Sequence, residues 1–158
     1  VCSTTMAEAA ARLGARADGM RTGGGAVEDV TDAWTKLRGG ECRWFLAAHD
    51  KASKSYRVVS EGQTADDLVA APPPDAILFG GVRVVVQGEE KFVHLCYVGP
   101  QVGVVQRGRA SLLKNAPFNA MEGAAGDFNF MHTESFDAET FTAKLQEVFG
   151  LPDVALCQ

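Results

Sequence analysis

Few residues in this sequence are able to do chemistry, and they do not cluster. His94 and Cys96 alternate in the apolar run 91–99, so on a strand they would share one face and offer two ligands to a metal. A zinc site needs three or four, and no companion pair stands at suitable spacing. The spacing therefore favours a histidine satisfied in or near the core. His49 and His132 each close an extended run, and neither has a nucleophile beside it in sequence. No G-x-x-x-x-G-K-[ST] phosphate loop and no G-x-S-x-G elbow occurs. Gly23-Gly24-Gly25 precedes a helical pattern but follows no strand, so it lacks the dinucleotide fingerprint. The sequence reads as that of a non-enzyme with no cofactor and no metal.

Binding chemistry is better represented. The chain carries a formal net charge of −5 and 20 acidic residues, yet none of them falls between Lys91 and Met121. Lys91, Arg107, Arg109 and Lys114 give that stretch a formal charge of +4. The remainder, 122–158, holds seven acids against the single base Lys144. A basic tract on an acidic protein is a docking surface for an acidic partner. Four basic residues make a poor footprint for a phosphate backbone, which argues against nucleic acid.

A helix over about 104–125 would position the basic residues. At 100° per residue, Arg107, Ser111, Lys114 and Phe118 fall within roughly 60° of one another. On that wheel Val105, Leu112, Ala116 and Ala120 lie opposite and are expected to face a sheet. Arg109 fits less well, pointing toward the sheet side of a regular helix. An ordinary solvated helix face would show the same pattern. Pro117 either kinks this helix or sits in the first turn of a second segment capped by Asn115.

The other elements follow from periodicity. Val27, Val30, Trp34 and Leu37 mark one face of a helix over about 26–38, which Gly39-Gly40 stops. Residues 42–50 and 55–62 read as a hairpin, and Thr64 caps a short helix that runs to about Ala70. Residues 76–87 and 91–99 are apolar on both faces, as central strands covered twice must be, with Gly88-Glu89-Glu90 as their turn. Residues 128–132 form a short strand. Asp137 caps a last helix, Phe136 and Phe141 form its staple, and Phe141, Leu145 and Val148 form its buried stripe; Gly150 and Pro152 close it. The interleaved order predicts an α/β (α+β) single domain, with a central mixed sheet of five to six strands and helices on both faces.

Length and composition agree. The 158 residues, 46% hydrophobic and 22% charged, suit one globular domain. The longest apolar runs fall far short of the ~20 residues a membrane span needs. The four cysteines, Cys2, Cys42, Cys96 and Cys157, are scattered without a C-x-x-C pair, as in a reducing cytosol. Residues 6–17 are rich in helix formers and are followed by the tract 22–25. Residues 1–25 read as a flexible or loosely helical extension, with a transit peptide as the alternative. The domain is placed at 26–150 and a C-terminal tail at 151–158.

Element order and four short stretches together resemble the ADF/cofilin-homology family, and within it the coactosin type. The first stretch is Ala33-Trp34 and Leu37-Arg38 followed by Arg43-Trp44-Phe45. The second is the strand ending Val82-Arg83-Val84, and the third is 91–99, beginning Lys91-Phe92 and ending Tyr97-Val98-Gly99. The fourth is 102–114, which contains Gln106-Arg107-Gly108-Arg109. The resemblance implies an actin-binding protein of the cytoplasm and actin cytoskeleton, favouring filament sides as coactosin types do. Cofilin-like monomer binding and severing is the alternative, and a non-actin adaptor is the reading from another class. Carried over by position, Lys91 matches a strand-start lysine that contacts filaments, and Arg107, Arg109 and Lys114, with Ser111 among them, match the actin-facing helix. Glu89, Glu90 and Pro117 depart from the coactosin pattern, and a homo-oligomer stays open.

Overall fold

The computed structural model describes residues 26–150 and 154–156. The extension expected over 1–25 and the closing role expected of Pro152 lie outside the described residues. Helix α1 (Glu28–Arg38) carries Glu28 and Asp29 in its first turn and Lys36 and Arg38 in its last, as the helix dipole favours. It buries Val30, Ala33, Trp34 and Leu37. Strands β1 (Trp44–Asp50) and β2 (Ser55–Gly62) pair antiparallel, with a bulge at Leu46/Ala47. Helix α2 (Ala65–Ala70) starts where Thr64 accepts a hydrogen bond from the Asp67 N–H.

The long strands β3 (Ile77–Val86) and β4 (Glu89–Val98) form the central hairpin. Their turn is Gln87-Gly88, with φ of +51° and +80°, and not the expected Gly88-Glu89-Glu90. Two consecutive positive φ values make a two-residue turn whose twist matches the strands. Glu89 and Glu90 consequently become strand residues opposite Val86 and Val85. The glycine pair inside β3 is a packing requirement. A Cβ on Gly80 would lie 1.9 Å from the Phe45 carbonyl oxygen, and one on Gly81 would lie 2.7 Å from the Trp34 ring.

Strand β5 (Asp127–Phe130) runs parallel to β4, so the chain between them must cross over. The crossover is helical but not one helix: α3 (Val104–Leu113) and α4 (Asn115–Ala120) meet at Lys114, and the helical stretch ends at Ala120, short of the expected 125. Pro117 lies in the first turn of α4, although the Asn115 side chain caps nothing. In an unbroken helix the N–H of residue 117 would reach the Leu113 carbonyl, and proline has none to give. Tyr56 supplies the donor instead, its hydroxyl 2.6 Å from that oxygen.

Helix α5 (Ala138–Phe149) begins at Asp137, which accepts from the Thr140 N–H at 2.7 Å, and ends at Gly150 in the left-handed region. Its buried residues are Phe141 and Leu145. Val148, expected in the same stripe, is 49% exposed, and Phe149 packs on the core in its place. Strand β6 (Val154–Leu156), inside the span expected to be a tail, pairs with Val84–Val86 of β3.

The sheet order is β2-β1-β3-β4-β5, with β6 beside β3, and only the β4–β5 pair is parallel. One face packs Trp44, Leu46, Val84, Leu95, Phe128 and Phe130 against Leu68 of α2 and Phe141 and Leu145 of α5. The other packs Phe45, Phe79, Cys96 and Val98 against α1, Ala110 of α3 and Phe118 of α4. Each fully buried side chain of this size contributes about 1.5–3 kcal/mol before entropy is counted. At the outer strands, Asp29 of α1 accepts the Val58 N–H of β2 at 3.3 Å, and the Lys144 ammonium donates to the Asn129 carbonyl of β5 at 3.1 Å.

Candidate functional site

Helix α3 is rotated from the orientation the helical wheel suggests. Val104, Val105 and Leu112 are 73%, 68% and 67% exposed, whereas Ala110 is buried and Leu113 packs on the core. Phe118, placed on the outer face by the wheel, is buried. The reason is the break at Lys114. Ala116, Pro117 and Phe118 of α4 supply the inward apolar contact, and α3 needs only Ala110, small enough to bring its backbone close, and Leu113. Val104, Val105 and Leu112 are left outside.

The outer face therefore presents Val104, Val105, Gly108, Arg109, Ser111 and Leu112. Arg109, the residue that fitted the wheel least, is exposed here. Arg107 and Lys114 flank the face and are half-buried; the Arg107 guanidinium donates to the Val102 carbonyl at 3.3 Å. Burial pushes the Cys96 thiol up to about 11, with the nearby Lys114 ammonium pulling the other way. Lys114 thus stands at the inner edge of the helix. The result is an apolar strip with a cationic rim and no carboxylate from α3 or α4 beside it.

Lys91 is not part of this face. Alternation along β4 puts it with Val93, Leu95 and Tyr97, on the side that packs against α5, while α3 and α4 cover the Cys96 side. It also stands at the far end of β4 from α3, about 23 Å from Val98 at 3.3 Å per residue. Its ammonium is 3.8 Å from the Glu89 carboxylate, and Arg83 pairs with Glu90. The structure brings Arg107, Arg109, Ser111 and Lys114 together and sets Lys91 on a second surface.

Both ring nitrogens of His94 are engaged by protein oxygens. Its Nδ1 is 2.8 Å from Asp127 Oδ1 and its Nε2 is 2.6 Å from the Met121 carbonyl oxygen. The ring stacks on Phe118 at 4.5 Å. Trp34 Nε1 and Arg38 Nη1 both donate to the Glu122 carbonyl, at 2.9 and 3.0 Å. These bonds tie the end of α4 to α1 and β4, and so hold the crossover in place. Among the described residues no group of three or more His, Cys, Asp or Glu side chains stands where it could hold a metal. No helix of the described residues is long and apolar enough to cross a membrane.

The exposed aliphatic residues were what sequence reasoning missed. Their signal was Pro117, which ends the phase of the wheel a few residues earlier than the hydrophobic pattern implies.

Comparison with known proteins gives a consistent picture. Residues 25–146 match the family profile described as cofilin/tropomyosin-type actin-binding protein. A search of curated protein sequences found no match. Among solved structures, human coactosin-like protein superposes with a TM-score of 0.67 at 17% identity, covering 77% of this chain and 97% of that one. Streptomyces griseoflavus cofilin gives 0.66 at 13% identity, over 77% and 97%. Mouse coactosin, described as an actin filament binding protein, gives 0.61 at 17%, over 77% and 89%. At these identities the likeness is one of fold.

Proposed function

Since the chain belongs to the family of cofilin/tropomyosin-type actin-binding proteins, we propose that it binds actin through the outer face of α3, on the side of filaments. The observation that carries this reading is the strip of Val104, Val105 and Leu112, each more than two-thirds exposed, beside Arg109. An apolar patch with a charged rim is the composition of a binding surface, and among the described residues these side chains stay exposed. Arg109 is the fork-shaped partner for an actin carboxylate, and Lys114 and Arg107 add charge from the flank. Lys91 is a second contact. Two surfaces separated by roughly 20 Å suit a partner that presents more than one subunit, and mouse coactosin, of similar fold, is described as a filament binder. On this reading the protein acts in the cytoplasm, on the actin cytoskeleton, without a cofactor or catalysis.

A second reading has its own support. Glu89 pairs with Lys91 and Glu90 with Arg83, which neutralises the strand-start surface and leaves α3 to act alone. A single actin monomer can cover α3, and a cofilin is among the proteins of similar fold.

High-speed co-sedimentation with filamentous actin separates the readings. The wild type is expected to pellet with actin. Val105→Asp places a charge in the apolar contact and is expected to weaken binding by at least 2 kcal/mol, roughly 30-fold. Lys91→Ala is expected to cost less than 1 kcal/mol and to matter only at low salt. Movement of actin to the supernatant favours the cofilin-like reading. A protein that neither pellets nor shifts actin, and does not bind monomer, is an adaptor for some other acidic partner.

A further inference from the structure

Resting on the assignment of α3 as the actin-facing helix, we infer that Gly108 is a specificity-determining residue, a notch into which the partner's own chain presses. Gly108 is the one glycine inside a helix among the described residues. Glycine in a helix interior is destabilising relative to alanine, because it has more backbone freedom to lose. The other described glycines have a reason within the fold. Gly80 and Gly81 admit a neighbouring backbone and a Trp ring, Gly88 and Gly150 adopt positive φ, and Gly103 occupies the N-cap position of α3, outside the helix interior, where glycine is well tolerated. Gly108 has none of these. Its φ is not positive, and a Cβ built on it meets no atom within 4 Å. The fold therefore bears a cost that nothing among the described residues requires.

Position supplies the reason. Gly108 follows Val105 by three residues and precedes Leu112 by four, so it lies between them on the exposed face. The missing methyl leaves bare helix backbone in the middle of the apolar strip, with Arg109 and Ser111 at its sides. A partner surface can descend there to contact the main chain, as glycine allows wherever two backbones approach closely. A methyl group at that point would hold the partner off the flanking valine and leucine together.

Gly108→Ala tests this with two readouts that must move in opposite directions. Thermal melting should rise by roughly 2–4 °C, while binding to actin, in the form the wild type prefers, should weaken at least fivefold, through overpacking of the contact. Val105→Asp is measured alongside. If Gly108→Ala melts higher and binds like the wild type while Val105→Asp loses binding, the notch is overturned and the reading of α3 stands. If Val105→Asp also binds like the wild type, the reading of α3 fails and the notch with it. If Gly108→Ala melts lower, the glycine serves the fold and the inference fails on its own premise.

Discussion

Replacing Tyr56 by phenylalanine removes one oxygen atom from a ring that is 1% exposed, and the damage should appear at the joint between α3 and α4. The Tyr56 hydroxyl is the donor to the Leu113 carbonyl, at 2.6 Å, and Pro117 has no N–H to take its place. A hydrogen bond of this kind contributes about 0.5–1.5 kcal/mol, and a buried acceptor left unpaired costs about 1–3 kcal/mol. Tyr56→Phe is thus expected to destabilise by about 1–3 kcal/mol, read as a lower urea midpoint in equilibrium unfolding followed by fluorescence of the buried Trp34 and Trp44. Pro117→Ala restores the N–H of residue 117, which can close the helical bond to the same carbonyl. In that background Tyr56→Phe should cost less than about 0.5 kcal/mol, giving a coupling of about 1 kcal/mol between two residues 61 positions apart in sequence. Equal costs in the two backgrounds would refute the reasoning, because the hydroxyl would then not be standing in for the amide that proline lacks.

Two further predictions concern the buried titratable groups. Burial raises the Tyr56 phenol from 10.0 to about 12, so the fold favours the neutral ring. That contribution is full below about pH 10 and is lost as pH rises from 10 to 12; alkaline unfolding should be shallower over that window in Tyr56→Phe. Burial likewise lifts the thiol of Cys96 to about 11, and raises that of Cys42, with the Glu61 carboxylate adding to it. At pH 8 neither is a ready nucleophile, so iodoacetamide should label both in urea and neither in the native protein, as read by mass spectrometry. Native labelling at the unfolded rate would contradict the packing around β4.

Much of the fold is written locally. The α1 stripe, the β1–β2 hairpin, the Thr64 and Asp137 caps and the two central strands each follow from spacing that a few adjacent residues determine. The α3 face does not. Its rotation depends on Tyr56 reaching Leu113 from a distant strand and on α4 carrying the inward contacts, and neither is visible in a helical wheel. The β3–β4 turn was shifted because Gly88-Glu89-Glu90 looks more turn-like than Gln87-Gly88, whereas strand register decides which pair adopts positive φ. The separation of Lys91 from the α3 basic residues was legible, since its parity along β4 matches Val93 and Leu95; what charge counting along the chain lacks is the side of the sheet. Strand β6 is three residues long, too short for its own periodicity to declare it.

The margins of the sheet have a consequence for how the protein behaves in a crowded solution. A strand at the rim of a sheet offers unpaired main-chain groups to any extended segment, which is the first step of templated aggregation. Here the Val58 amide of β2 is already engaged by the Asp29 carboxylate, and the Asn129 carbonyl of β5 by the Lys144 ammonium, which also lies over the Phe130 ring and pairs with Glu134. An incoming strand would have to displace a charged group from each of these positions before it could register. The protein thus exposes an aliphatic strip on α3 while guarding one main-chain position on each of these two strands with a charged side chain, which separates stickiness of a side-chain surface from stickiness of a strand edge.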